Sequence, residues 1–207
     1  MQAKCQVDMT YGDIPKQLFM FTIPILLSQI LQQFYNIADT AIIGRYIGTD
    51  ALAAIGSTGL LISVIVNFFI GLSTGVSAVI ANQFGANEYD KLKKSISTLL
   101  AVSVLLGIVF TIGSLIFMKP IINILQTPKG VYSLAIDYLK ICFLGITFQL
   151  LYNIGTAILR ALGNTKDPLY FLIFSCILNL ILDILFIVYF GWGVKGAAIA
   201  TLISQIL

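Results

Sequence analysis

Long stretches of this chain carry no charged residue at all. Residues 17–38, 51–87, 95–118, 141–159 and 168–182 lack Asp, Glu, Lys and Arg, Asp183 alone separates the last of these from 184–194, and a further run covers 196–207. A bilayer core of about 30 Å is crossed by roughly 20 helical residues, so these runs have the length of spans. With 58% hydrophobic and 10% charged residues, the chain has too few polar side chains to cover a water-soluble globule. Its mean hydropathy is +0.98. Barrel strands would be about ten residues long with alternating polarity, a pattern this sequence does not show. The sequence therefore reads as an all-α membrane protein. After an N-terminal segment, 1–15, it predicts a bundle over 16–207, with helices at about 16–43, 52–81, 95–118, 132–158, 168–190 and 194–207. The last helix is expected to be truncated.

Basic residues near the span ends set the expected orientation. Lys4, Lys16, Lys91, Lys93, Lys94, Arg160 and Lys166 fall on one side, against Arg45, Lys119, Lys129 and Lys195 on the other, with Lys140 near the start of the fourth span. The excess places the N-terminus in the cytoplasm of a multi-pass cell-membrane protein. This topological use accounts for the net charge of +3, so no nucleic-acid partner is called for. The first apolar run is longer than a signal-peptide core and contains Pro24, so it is read as retained.

Metal and thiol chemistry have little support. The chain has no His, and Cys5, Cys142 and Cys176 lie far apart without a C-x-x-C spacing, which argues against a zinc or redox framework.

Two acids lie inside the apolar runs, Asp39 in the first span and Asp183 in the fifth. An Asp at mid-span costs about 2.5–3.5 kcal/mol, so such residues face a cavity or a partner and mark ion or substrate paths. Polar residues line up with them at helical spacing. Gln29, Gln32, Asn36 and Asp39 make one stripe, Gln149, Asn153, Thr156 and Arg160 a second, and Ser175, Asn179 and Asp183 a third, with a weaker one at Ser63, Asn67, Gly71 and Thr74. Single Ser or Thr residues serve as hydrogen-bond glue between helices. Three stripes converging with two acids predict a wet cavity.

Other features read as packing devices. Gly71 and Gly75, with Ser73 and Ser77 offset by two, form a small-residue face where another backbone can approach. Pro24 removes a donor in mid-span and is expected to bend the first helix. The segment 163–168, Gly-Asn-Thr-Lys-Asp-Pro, is a turn by composition, and Gly191-Trp192-Gly193 closes the fifth span.

Three segments together resemble one family. GDIPKQLFMFTIPILLSQILQQFYNIADTAIIGRYIGTDALAAIG, ANQFGANEYDKL and RALGNTKDP are similar to the N-terminal lobe of multidrug and toxic compound extrusion (MATE) transporters. The similarity runs over essentially the whole chain. It implies a cation- or proton-driven exporter of twelve helices in two six-helix lobes, of which this chain matches the first, so a C-terminal lobe is expected in the full transporter. The resemblance also implies a coupling site at Asp39, Asn179, Asp183 and Thr201, with the carbonyl of Ala197 as a further ligand. Gln32, Tyr35, Asn36, Asn153 and Thr156 fall at cavity positions suited to substrate contact.

Oxygen ligands of this kind suit a hard cation such as Na+. Two carboxylates confined away from water also favour uptake of a proton or a monovalent cation, and such loading must oppose the binding of a competing organic cation reciprocally. The expected activity is antiport, H+ or Na+ entering as an amphiphilic organic cation or drug leaves, with no catalytic residue and no cofactor beyond the coupling ion. A lipid-linked oligosaccharide flippase of the same superfamily would be expected to carry several Arg or Lys in its spans, which these lack. An intramembrane aspartyl protease fits poorly, since IADT and LILD lack the Tyr-Asp and Gly-x-Gly-Asp contexts of that class. An inactive lobe is the remaining alternative.

Overall fold

The computed structural model describes residues 13–124 and 128–207. Lys4, Cys5 and the rest of 1–12 lie outside the described residues, so the N-terminal segment is described only from residue 13. The described residues form helices α1 (Ile14–Tyr46), α2 (Thr49–Gly85), α3 (Tyr89–Ile124), α4 (Lys129–Leu144), α5 (Ile146–Ala161), α6 (Lys166–Asp183) and α7 (Gly193–Ile206). Beyond Asp183, α6 continues as a π-helical segment, Ile184–Tyr189. Among the described residues there is no strand.

Short turns join the helices. Pro15 starts α1, where a missing N–H costs nothing. Gly48, at φ 110°, turns α1 into α2 through a conformation L side chains rarely adopt. Gly191, at φ 66°, begins the reversal from the π-helical segment into α7.

Among the described residues four helices are long and apolar enough to cross a membrane: 15–46, 49–85, 89–124 and 166–189. The fourth expected span differs from the single helix 132–158. It is a pair, α4 and α5, bent by 46° at Gly145. A side chain at Gly145 would meet Gln205 Oε1 at 3.1 Å and Leu202 Cδ1 at 3.3 Å, so the break admits side chains of α7. Pro24 leaves α1 continuous, and Ser28 Oγ donates to the Pro24 carbonyl at 2.8 Å. The sixth apolar helix, α7, is shorter than a span.

Lipid tails are as apolar as Leu, so close backbone approach and interhelical hydrogen bonds hold such bundles together. The main core joins α2, α3, α4 and α5 through Phe69, Ile80, Ile122, Leu139 and Leu150. A second cluster, with Ile43, Tyr138, Ile187 and Ala197, ties α1, α4, the π-helical segment and α7. The tightest approach is at Gly107, where a Cβ would lie 2.8 Å from the Thr147 Cα. Thr111 and Thr147 hydroxyls pair beside it at 3.2 Å. The expected Gly71/Gly75 face is not packed: both glycines are exposed, with nothing within 4 Å of an added Cβ. The offset serines turn inward instead, Ser73 being buried and Ser77 Oγ donating to the Ala157 carbonyl at 3.2 Å.

Candidate functional site

Helix α1 packs on α6, and at their contact the carboxyl groups of Asp39 and Asp183 come within hydrogen-bonding reach of each other. Asp183 is fully buried and Asn179, one turn earlier, is 1% exposed. The 3.6-residue period explains the pairing: positions four apart share a face. With its nitrogen toward the acid, the Asn179 amide donates to Asp183 Oδ2 at 2.9 Å, and its oxygen accepts the Thr201 backbone N–H at 3.2 Å. Thr201 Oγ1 donates to the Ala197 carbonyl at 3.1 Å and lies 3.5 Å from Tyr35 Oη. Residues of α1, α6 and α7 thus meet in one oxygen-rich pocket.

Within that pocket one oxygen of each acid, Asp39 Oδ1 and Asp183 Oδ1, is buried with no N–H or hydroxyl donor among the described residues. Unpaired polar atoms cost about 1–3 kcal/mol when buried, more when charged. Two carboxylates in contact also repel unless a proton or a cation neutralises the pair. A positive charge between them would relieve that repulsion.

Two chambers flank it. One of about 460 Å³ lies against α1, α2, α4 and α7, with Gln32, Tyr35, Asn36 and Asp39 on one wall, Ser63 and Asn67 on another, and Tyr138 and Thr201 closing it. The other, of about 430 Å³, is walled by Phe148, Tyr152 and Thr156 of α5 and by Phe171, Phe174 and Ser175 of α6. Gln32, Tyr35, Gln149 and Gln205 border both. Between them Gln205 Nε2 donates to Gln149 Oε1 at 2.7 Å, a polar bar across the junction. Asp39 and Thr201 face the larger chamber, whereas Asn179 and Asp183 border neither.

Asn153 is not brought to either chamber. Its amide donates to the Gln149 carbonyl of its own helix at 2.8 Å. At about 100° per residue it stands a quarter turn from Tyr152, which lines the chamber. Thr156 reaches the aromatic chamber and Asn36 the acidic one. Tyr152, the three phenylalanines and Gln205 are additional wall residues that polar stripes alone do not reveal. For Gln205 the signal was available, since it stands four residues after Thr201.

Comparison with known proteins places this geometry. The family model MatE matches residues 24–185. The chain is 33% identical over 198 residues to the probable multidrug resistance protein YpnP of Bacillus subtilis, covering 96% of this chain and 44% of that protein. It is 31% identical to an FAD transporter of Shewanella oneidensis, over 94% of this chain and 44% of that protein. A MOP superfamily transporter from Pyrococcus furiosus superposes with a TM-score of 0.91 at 29% identity, over 100% of this chain and 45% of that one. The chain therefore spans less than half the length of these relatives, and its bundle corresponds to one lobe of their two-lobe fold.

Proposed function

The chain belongs to the MatE family, and on that premise we propose that it supplies one lobe of a secondary active exporter in which Asp39 and Asp183 carry the coupling ion. The single observation that carries the reading is the pair of buried Oδ1 atoms, reached by no donor among the described residues, on two acids within hydrogen-bonding reach of each other. An H+ or Na+ taken up there changes the local charge by one unit. Asn179 and Thr201 hold the pocket's geometry, and the Ala197 carbonyl orients the Thr201 hydroxyl.

The cargo proposed is an amphiphilic organic cation. Among the described residues the ionisable acid lining the larger chamber is Asp39, and aromatic rings of Phe148, Tyr152, Phe171 and Phe174 line the adjoining chamber. A carboxylate with aromatic faces attracts a cation both by charge and by the ring quadrupoles. Gln32, Tyr35, Asn36 and Thr156 supply polar contacts at the walls. Because Asp39 faces the larger chamber, an entering ion and a bound cation compete for the same charge, and their affinities are linked reciprocally. Exchange across the membrane then requires a second lobe to enclose the path. The same reading sets the protein in the cell membrane, with its N-terminus and the loops at 83–94 and 160–167 on the cytoplasmic side.

Reconstituted exchange tests the proposal. The polypeptide that carries this lobe together with a second one is placed in proteoliposomes loaded with ethidium. Imposed inward gradients of H+ or Na+ should drive ethidium out, and an uncoupler or a sodium ionophore should stop it. Efflux that ignores both gradients would refute ion coupling.

A further inference from the structure

Helix α6 changes its hydrogen-bond ladder directly after the acid. It is α-helical to Asp183 and π-helical over Ile184–Tyr189, and Phe190 N–H closes onto Leu185 O at 3.0 Å, five residues back. Such wide turns are rare and persist where surrounding contacts hold them. Two contacts hold this one. Trp192 N–H donates to the Phe186 carbonyl at 2.9 Å, and its ring stacks on Phe186 at 4.9 Å and on Phe190 at 5.4 Å. From α7, Gly196 lies directly against the Phe186 main chain. A Cβ on Gly196 would stand 3.1 Å from Phe186 Cβ and 3.2 Å from its carbonyl carbon and oxygen.

We propose that Gly196 is a positioning residue for Asp183: its missing side chain admits the wide turn that holds the Asp183 carboxyl against Asp39. This rests on the coupling role proposed above. The atoms that would have to give, by a few tenths of an ångström, are the Cβ and the main-chain carbonyl of Phe186, which move only with the turn that follows Asp183. Gly196 also precedes Ala197 and shares α7 with Thr201, so one contact sets the spacing of the two walls of the pocket. Gly107 provides the control. Its Cβ would be closer still, 2.8 Å from the Thr147 Cα, but it lies on α3, which contributes nothing to the acid pocket.

The test uses ethidium efflux from proteoliposomes containing the two-lobe protein, read as two separate quantities: the ion concentration and the ethidium concentration giving half-maximal exchange. Gly196→Ala is expected to shift the ion value about tenfold, the scale on which residues orienting ion ligands act, while the ethidium value extrapolated to zero competing ion stays unchanged, since the two ligands are linked only through their competition. Trp192→Leu, which adds no bulk and removes the ring stack, should shift the ion value in the same sense and serves if Gly196→Ala does not fold. Gly107→Ala should leave the ion value unchanged. An unshifted ion value in both Gly196→Ala and Trp192→Leu, or an equal shift in Gly107→Ala, overturns the positioning role. Asp183→Asn separates this from the wider reading, because ion-driven efflux that survives it refutes the coupling site itself.

Discussion

The Asp39 carboxyl of α1 meets the Asp183 carboxyl of α6 inside the bundle, and no N–H or hydroxyl donor among the described residues reaches the Oδ1 atom of either. Separating the two acids into lipid would cost on the order of 5–7 kcal/mol on the insertion scale. Convergence with Asn179 and Thr201 in one pocket removes much of that cost.

Asn179 is the hinge of that arrangement, joining Asp183 to the backbone of α7. Asn179→Leu keeps the volume but strips Asp183 Oδ2 of its donor and removes the amide's contact with the Thr201 backbone. A loss of about 1–3 kcal/mol is expected, measured as a lower midpoint of thermal unfolding in detergent. An unchanged midpoint would show that the amide contributes nothing to the pocket.

The Gln149–Gln205 bond bars the junction of the two chambers. Each single Ala substitution should open it and raise efflux of cations too large for one chamber relative to small ones. A double-mutant cycle should return a coupling of about 0.5–1.5 kcal/mol. Additive effects would mean that the bond does not form in the working protein.

Glycine substitutions should separate packed from open faces. Gly107→Ala is expected to cost about 1–3 kcal/mol through overpacking against Thr147. Gly71→Ala meets nothing within 4 Å and should be neutral or stabilising by up to about 1 kcal/mol in this chain. Thermal unfolding of the two variants side by side checks both, and a large loss in Gly71→Ala would reveal a partner on that face.

Orientation is tested at Glu88, an exposed residue in the turn between α2 and α3. A Cys placed there should resist impermeant maleimide in intact cells and react once the membrane is opened. Strong labelling from outside would invert the topology.

Much of this architecture was legible in the chain because lipid imposes two simple rules. Uncharged runs must be long enough to cross, and polar side chains must share a face, so Asp39 with Asn36 and Asp183 with Asn179 could be read from spacing. The break at Gly145 was not legible, since a glycine in an apolar run is equally compatible with a continuous helix. The wide turn after Asp183 changes the backbone ladder without changing the side-chain pattern. Which glycines pack depends on the partner helix: Gly107 and Gly196 meet a backbone, whereas Gly71 and Gly75, in the better-looking motif, meet none. Asn153 falls at the edge of its face because four residues turn a helix about 40° past a full turn, which carries it off the wall that Gln149 and Thr156 line.

The most direct test of the acid pair is ion uptake measured against ethidium release in the same proteoliposomes, for the native protein and for Asp39→Asn. The amide keeps the shape but can neither exchange a proton nor balance a cation. Coupled uptake of H+ or Na+ should be present in the native protein and abolished in the variant, with membrane insertion and folding unchanged. Native levels of coupled exchange in Asp39→Asn would contradict the account.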